Sequence, residues 1–138
     1  MSLVNLGFEE GFSLLDRQKT RELILKLKNN INPEEEDPSK LHTGMKGGMI
    51  VCDNGEVDMR GVYCAIVVAD LLNILDEEVK QDVGDFIASC QTYEGGIASI
   101  PFGEAHAGYT YCGLAAMVIL GETHKLDLKN LASWIAHR

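Results

Sequence analysis

Basic residues are in short supply in this chain. Twelve Lys and Arg stand against 21 Asp and Glu, a formal net charge of −9 over 138 residues. That deficit argues against a nucleic-acid binder, because a phosphate backbone calls for an excess of Lys and Arg, and it disfavours docking on anionic lipid. Cysteine is sparse too. Cys52, Cys64, Cys90 and Cys112 form no CxxC pair and no dense framework, so a disulfide scaffold is not indicated. There is no apolar N-terminal leader and no run of about eighteen apolar residues, which excludes a signal segment and direct membrane insertion as readings. Free thiols without a leader predict a reducing, cytoplasmic setting.

What is present is enough apolar side chain, 46% of residues, to bury a core. The periodicity and end signals predict five helices and an all-α fold. The first spans about Asp16 to Lys28, with Asp16 as N-cap and Leu23, Ile24 and Leu27 as its apolar stripe. The second spans Asp58 to Leu75. Its centre, Ala65-Ile66-Val67-Val68-Ala69 and Leu71-Leu72, is apolar on more than one face and is expected to be buried on most sides. Asp76 caps a third helix reaching Gln91, with Val79, Val83, Phe86, Ile87 and Cys90 as its covered face. A fourth covers Ala107 to Leu120. Asp127 caps the fifth, with Leu128, Leu131, Trp134 and Ile135 inward. Between the first two, a segment of about residues 30–46 holds Pro33, Pro38 and the acidic run Glu34 to Asp37. It reads as a solvated insertion.

Sliding the chain by 48 positions superposes residues 47–90 on 95–138 without a gap. Nine identities result: Gly47/Gly95, Gly48/Gly96, Gly55/Gly103, Glu56/Glu104, Tyr63/Tyr111, Cys64/Cys112, Leu72/Leu120, Ile87/Ile135 and Ala88/Ala136. The repeating unit is a helical hairpin with one inner helix, one outer helix and a glycine-bearing return. Such a unit cannot cover both faces of its inner helix alone, so repeats are expected to stack.

The repeat sets Glu56-Val-Asp-Met-Arg60 and Glu104-Ala-His-Ala-Gly108 at equivalent places, where inner helices begin. Free backbone N–H groups there, beside Arg60 and His106, suit an anion. The plainer reading is that Asp58 and His106 only cap helices. Tyr63, Tyr109 and Tyr111 fit either an apolar pocket or core packing. Cys64 and Cys112 read as small buried hydrophobes. His42, Cys52, Asp53, His106, His124 and His137 fall at no recognised zinc spacing, so no metal site is expected in this chain. No GxSxG or GK[ST] element occurs.

Three ordered blocks carry a family resemblance: Gly55-Glu-Val-Asp-Met-Arg-Gly-Val-Tyr-Cys-Ala65, Cys90-Gln-Thr-Tyr-Glu-Gly-Gly-Ile97, and Gly103-Glu-Ala-His-Ala-Gly-Tyr-Thr-Tyr-Cys-Gly-Leu-Ala-Ala116. Together they resemble the β subunits of protein farnesyltransferases, within the protein prenyltransferase β-subunit family, over about Leu14 to Arg138. The resemblance implies an α/α toroid of helical hairpins, of which this chain would form an incomplete arc. It implies transfer of farnesyl from farnesyl diphosphate to the Cys of a C-terminal CaaX motif, with an α-subunit partner and Zn2+, Mg2+ being a second candidate ion. By position, His106 would bind diphosphate, and Arg60, Tyr63, Gly108, Tyr109 and Cys112 would line the isoprenoid channel. Arg60 and Glu56 would hold the peptide carboxylate through water. The zinc ligands of the family fall outside the matched positions. The expectation is therefore an inactive fragment that self-associates. A geranylgeranyltransferase type I β subunit and a non-catalytic helical-repeat peptide scaffold are the alternatives.

Overall fold

A computed structural model describes residues 14–29, 45–52 and 55–138. Nearly all of the expected insertion at 30–46 lies outside the described residues. Among them the regular structure is helical: α1 (Arg17–Asn29), α2 (Met59–Leu71), α3 (Glu77–Lys80), α4 (Val83–Ser89), α5 (Ala107–Leu120), a 3-10 turn (Thr123–Lys125) and α6 (Leu128–Ala136). Extended pairing is limited to the isolated bridges Ile50–Val57 and Gln91–Ile97. α2 lies along α5 as the inner pair, and the short outer helices cover their backs.

Every aspartate expected to start a helix does so. The Asp16 carboxylate accepts from Lys19 N at 3.0 Å, Asp58 from Arg60 N and Gly61 N at 2.7 and 3.1 Å, Asp76 from Val79 N at 3.0 Å, and Asp127 from Asn130 N at 3.0 Å. Each satisfies donors that the first turn leaves without a carbonyl.

Three expectations change. The third helix is two pieces, α3 and α4, parted where Asp82 turns left-handed at φ 64°. A chain crossing lies at this break: a Cβ on Gly47, itself at φ 84°, would sit 2.1 Å from the Asp82 carbonyl oxygen. The same crossing recurs one repeat later, where a Cβ on Gly95 would lie 2.4 Å from the Asn130 carbonyl oxygen. The second helix stops at Leu71 rather than Leu75, because Asn73 adopts φ 57° and the Ile74 N–H returns to the Ala69 carbonyl. It is buried along one face (Met59, Val62, Ile66, Ala69), while Cys64 and Leu71 are exposed, so the expected burial on most sides does not hold.

Single stripes are narrower than the pattern suggested. In α1 Ile24 is buried and Leu23 is exposed, and Lys28 goes inward instead, its Nζ donating to the Glu78 and Val79 carbonyls at 2.6 and 3.2 Å. In α6 Leu131 and Trp134 are buried, whereas Leu128 and Ile135 are 45% and 49% exposed. The α3–α4 stripe Val79, Val83, Phe86, Ile87 and Cys90 is buried in full. The 48-residue register is also visible in packing. A Cβ on Gly48 would meet the Phe86 ring at 3.0 Å, and one on Gly96 would meet the Trp134 ring at 2.6 Å.

Candidate substrate-binding site

The inner helices begin side by side, and their N-terminal turns bring the charged and aromatic candidates together. Asp58, whose side chain is only 5% exposed, caps α2 and also receives the Arg60 guanidinium through Nε at 2.9 Å and a second, close contact from an Nη. Glu56 adds a longer contact to Arg60 at 3.9 Å. Burial pushes the Asp58 carboxyl up, but hydrogen bonds from Arg60 and from the Gly61 and Arg60 backbone outweigh it and leave it below the usual carboxylate range. Held this way, the Arg60 guanidinium carbon lies 5.9 Å from the centre of the Tyr109 ring, within cation–π range.

His106 occupies the equivalent capping place on α5. Its Nδ1 accepts from Gly108 N at 3.0 Å, and its own backbone N–H donates to the Ile97 carbonyl at 3.1 Å. An Nδ1 that accepts a backbone N–H fixes the neutral ring's proton on Nε2, which makes Nε2 a donor toward an incoming anion. The imidazole lies 5.2 Å from the Tyr109 ring, centre to centre. Tyr109 is thus the common neighbour of Arg60 and His106. Thr110, buried on the opposite side of the same turn, anchors the loop by accepting from Ile97 N at 2.9 Å.

Of the remaining candidates, Tyr63, Tyr111 and Cys112 sit farther along the helices. Tyr63 packs edge-on against Tyr111, with ring centres 5.7 Å apart. Gly108 is open on the surface of the first turn, a Cβ there meeting only the His106 ring at 3.2 Å. The reading of Cys64 and Cys112 as buried hydrophobes fails: Cys64 is exposed and Cys112 half-buried. Burial, then the neighbouring Cys64, pushes the Cys112 thiol up. A cleft of about 120 Å³ opens between Glu56-Val57-Asp58, Ser99-Ile100, Met45 and Tyr109.

Among the described residues no group of three or more His, Cys, Asp and Glu is placed to hold a metal ion, so these side chains do not fit a zinc centre. No helix among them is long and apolar enough to cross a membrane. The sequence marked Asp58 as a cap and left Tyr111 open between pocket and core, without showing that Asp58 holds Arg60 or that Tyr111 meets Tyr63. The Asp-x-Arg spacing at a helix start was the available signal for the first.

The whole chain, residues 1–138, matches the prenyltransferase alpha-alpha toroid domain. It is 44% identical over 137 residues to protein farnesyltransferase subunit beta of Pisum sativum, covering 99% of this chain and 29% of that protein. The Arabidopsis thaliana protein farnesyltransferase subunit beta is 43% identical over 137 residues, covering 99% and 25%. Geranylgeranyl transferase type-1 subunit beta of Arabidopsis thaliana is 39% identical over 67 residues, covering 49% of this chain and 18% of that protein. The chain therefore spans little more than a quarter of the length of the farnesyltransferase relatives it matches.

Proposed function

The chain belongs to the prenyltransferase alpha-alpha toroid family, and we propose that it is part of the β subunit of a protein farnesyltransferase. The lipid assignment rests on coverage: the farnesyltransferase relatives align along 99% of the chain, the geranylgeranyl transferase type-1 relative along 49%. The observation that carries the chemistry is the meeting of Arg60 and His106 around Tyr109 at two helix starts. One guanidinium with donors to spare and one oriented imidazole donor, at the positive ends of two helices, make a surface for anionic groups.

In the proposed reaction a CaaX cysteine thiolate attacks C1 of farnesyl diphosphate. A C–S bond forms, the C1–O bond breaks, and diphosphate leaves. His106 Nε2–H donates to the diphosphate as its charge grows, which favours departure of the leaving group. Tyr63, Tyr109, Gly108 and Cys112 form part of the wall along which the isoprenoid lies, the open surface at Gly108 allowing close approach. Arg60, with Glu56 beside it, holds the carboxylate end of the CaaX peptide through water. The zinc of the reaction is assigned to residues outside this segment, as is Mg2+. The working form is a cytoplasmic heterodimer with an α subunit. The 138-residue chain alone is inactive, its zinc being assigned elsewhere, and it self-associates, because apolar Val118, Leu128 and Ile135 are exposed on its helices. Light scattering at micromolar concentration checks this, and a compact monomer refutes it.

The deciding experiment places the full-length subunit with its α partner in a transfer assay. Farnesyl and geranylgeranyl diphosphate compete for one CaaX peptide, with and without a chelator. Chelator-sensitive transfer favouring farnesyl is expected, and His106→Ala should weaken diphosphate binding by about tenfold, the scale of a charge-assisted hydrogen bond. Preference for geranylgeranyl moves the lipid assignment. A folded heterodimer that transfers neither lipid leaves a peptide-binding scaffold as the function.

A further inference from the structure

Asp58 does more than cap α2. A cap needs one side-chain oxygen, and Oδ1 supplies it, accepting from Arg60 N and Gly61 N. Oδ2 is free of that task and receives the Arg60 guanidinium through two nitrogens. The carboxylate is almost wholly buried while the Arg60 side chain is 60% exposed. An exposed arginine ordinarily loses contact energy to side-chain entropy. Here its inner end is fixed by a buried, immobile anion, and the guanidinium is kept over Tyr109. Its remaining N–H donors stay available to a second carboxylate.

We propose that Asp58 is the positioning residue for Arg60, setting the guanidinium at the angle from which it receives the carboxylate end of the peptide substrate. The role in peptide binding rests on the farnesyltransferase reading above; the ion pair itself does not. The repeat underlines the point. The equivalent cap on α5 is His106, and the residue equivalent to Arg60 is Gly108, so the capping place is common to both hairpins while the arginine-holding carboxylate belongs to the first.

Asp58→Ser separates the two jobs, since serine caps a helix about as well as aspartate but cannot pair with a guanidinium. In the full-length heterodimer, Asp58→Ser is expected to raise KM for a CaaX peptide by about three- to tenfold with kcat unchanged, the pattern of lost uniform binding. An amidated peptide, lacking the terminal carboxylate, should show no such rise. In an Arg60→Ala background the substitution should have no further effect. An independent readout is the Arg60 Nε–H resonance in the full-length heterodimer labelled with 15N-arginine, expected to be slow to exchange and to lose that protection in Asp58→Ser. Unchanged KM overturns the proposal, as does an effect that persists in the Arg60→Ala background or on the amidated peptide. If the parent enzyme transfers neither lipid, the role in peptide binding falls with the reading of the site. The Arg60 resonance then tells that failure apart from failure of the ion pair.

Discussion

Replacing Thr110 by valine tests how the loop before α5 is held in place. Thr110 is 3% exposed, and its hydroxyl both accepts from Ile97 N at 2.9 Å and faces the Ile97 carbonyl at 3.4 Å. Valine keeps the shape and the β-branching, so packing and helix propensity change little. The Ile97 carbonyl retains the His106 N–H at 3.1 Å, but the Ile97 N–H, on a wholly buried residue, loses its partner. One lost hydrogen bond and one stranded donor together cost roughly 2–3 kcal/mol. With a slope of about 1.5–2 kcal/mol per molar urea for a chain of this size, the midpoint should fall by about 1–2 M. Thr110→Ser keeps the hydroxyl and should cost only about 1 kcal/mol for the missing methyl. Circular dichroism of the purified chain in urea gives the midpoints, and amide exchange should show Ile97 losing protection in the valine variant beyond the global change. A valine variant within about 0.5 kcal/mol of wild type, with Ile97 still protected, would refute the argument. Equal losses for serine and valine would place the cost in the methyl group instead.

Gly95→Ala should destabilise by about 2–4 kcal/mol, because Gly95 sits at φ 106° and its Cβ would press on the Asn130 carbonyl; urea melting measures it, and a loss under about 1 kcal/mol would mean the crossing yields. Acid stability should carry the signature of Asp58 and Asp76. Both carboxyls lie below their ordinary range, Asp76 chiefly through the Arg21 side chain, so each stabilises the fold above about pH 4, the unfolded value, and that contribution is lost as pH falls through the lower folded value. Asp58→Asn should flatten the fall in stability below about pH 4, and an unchanged acid limb in pH-dependent urea titrations would contradict the ion-pair account. Burial pushes the Cys90 thiol up to about 12, so at pH 8 iodoacetamide should modify exposed Cys52 and Cys64 first, Cys112 more slowly and Cys90 only on unfolding. Peptide mass spectrometry ranks the four sites, and early labelling of Cys90 would show that α4 opens.

The caps and the repeat were the most legible parts of the sequence, because each depends on a few residues at fixed spacing. Asp16, Asp58, Asp76 and Asp127 were placed correctly for that reason. The break at Asp82 was not visible, since the buried stripe of Val79, Val83 and Phe86 runs on across it in helical spacing, and the Gly47 backbone that packs there lies 35 positions earlier. The exposure of Cys64, Leu71, Leu128 and Ile135 was hidden for a similar cause: an apolar residue on a helix announces a face, not whether a neighbour covers it. At the site, the candidates Glu56, Arg60, His106 and Tyr109 do converge in space. What linear order concealed was the division of labour in one carboxylate, with one oxygen for the backbone and one for Arg60.

Gly47 and Gly95, both at positive φ, mark where each return segment crosses its outer helix, and so act as paired datum marks one hairpin apart. A chain gauged at both ends in this way can change what it presents at the helix starts without changing where those starts are. Asp and Arg on one spoke, His and Gly on the next, are then variations in cargo on a common mount. Exchanging only the exposed pair, Arg60 and Gly108, should relocate the cation by one spoke and leave the wheel itself true, since neither position belongs to the buried core.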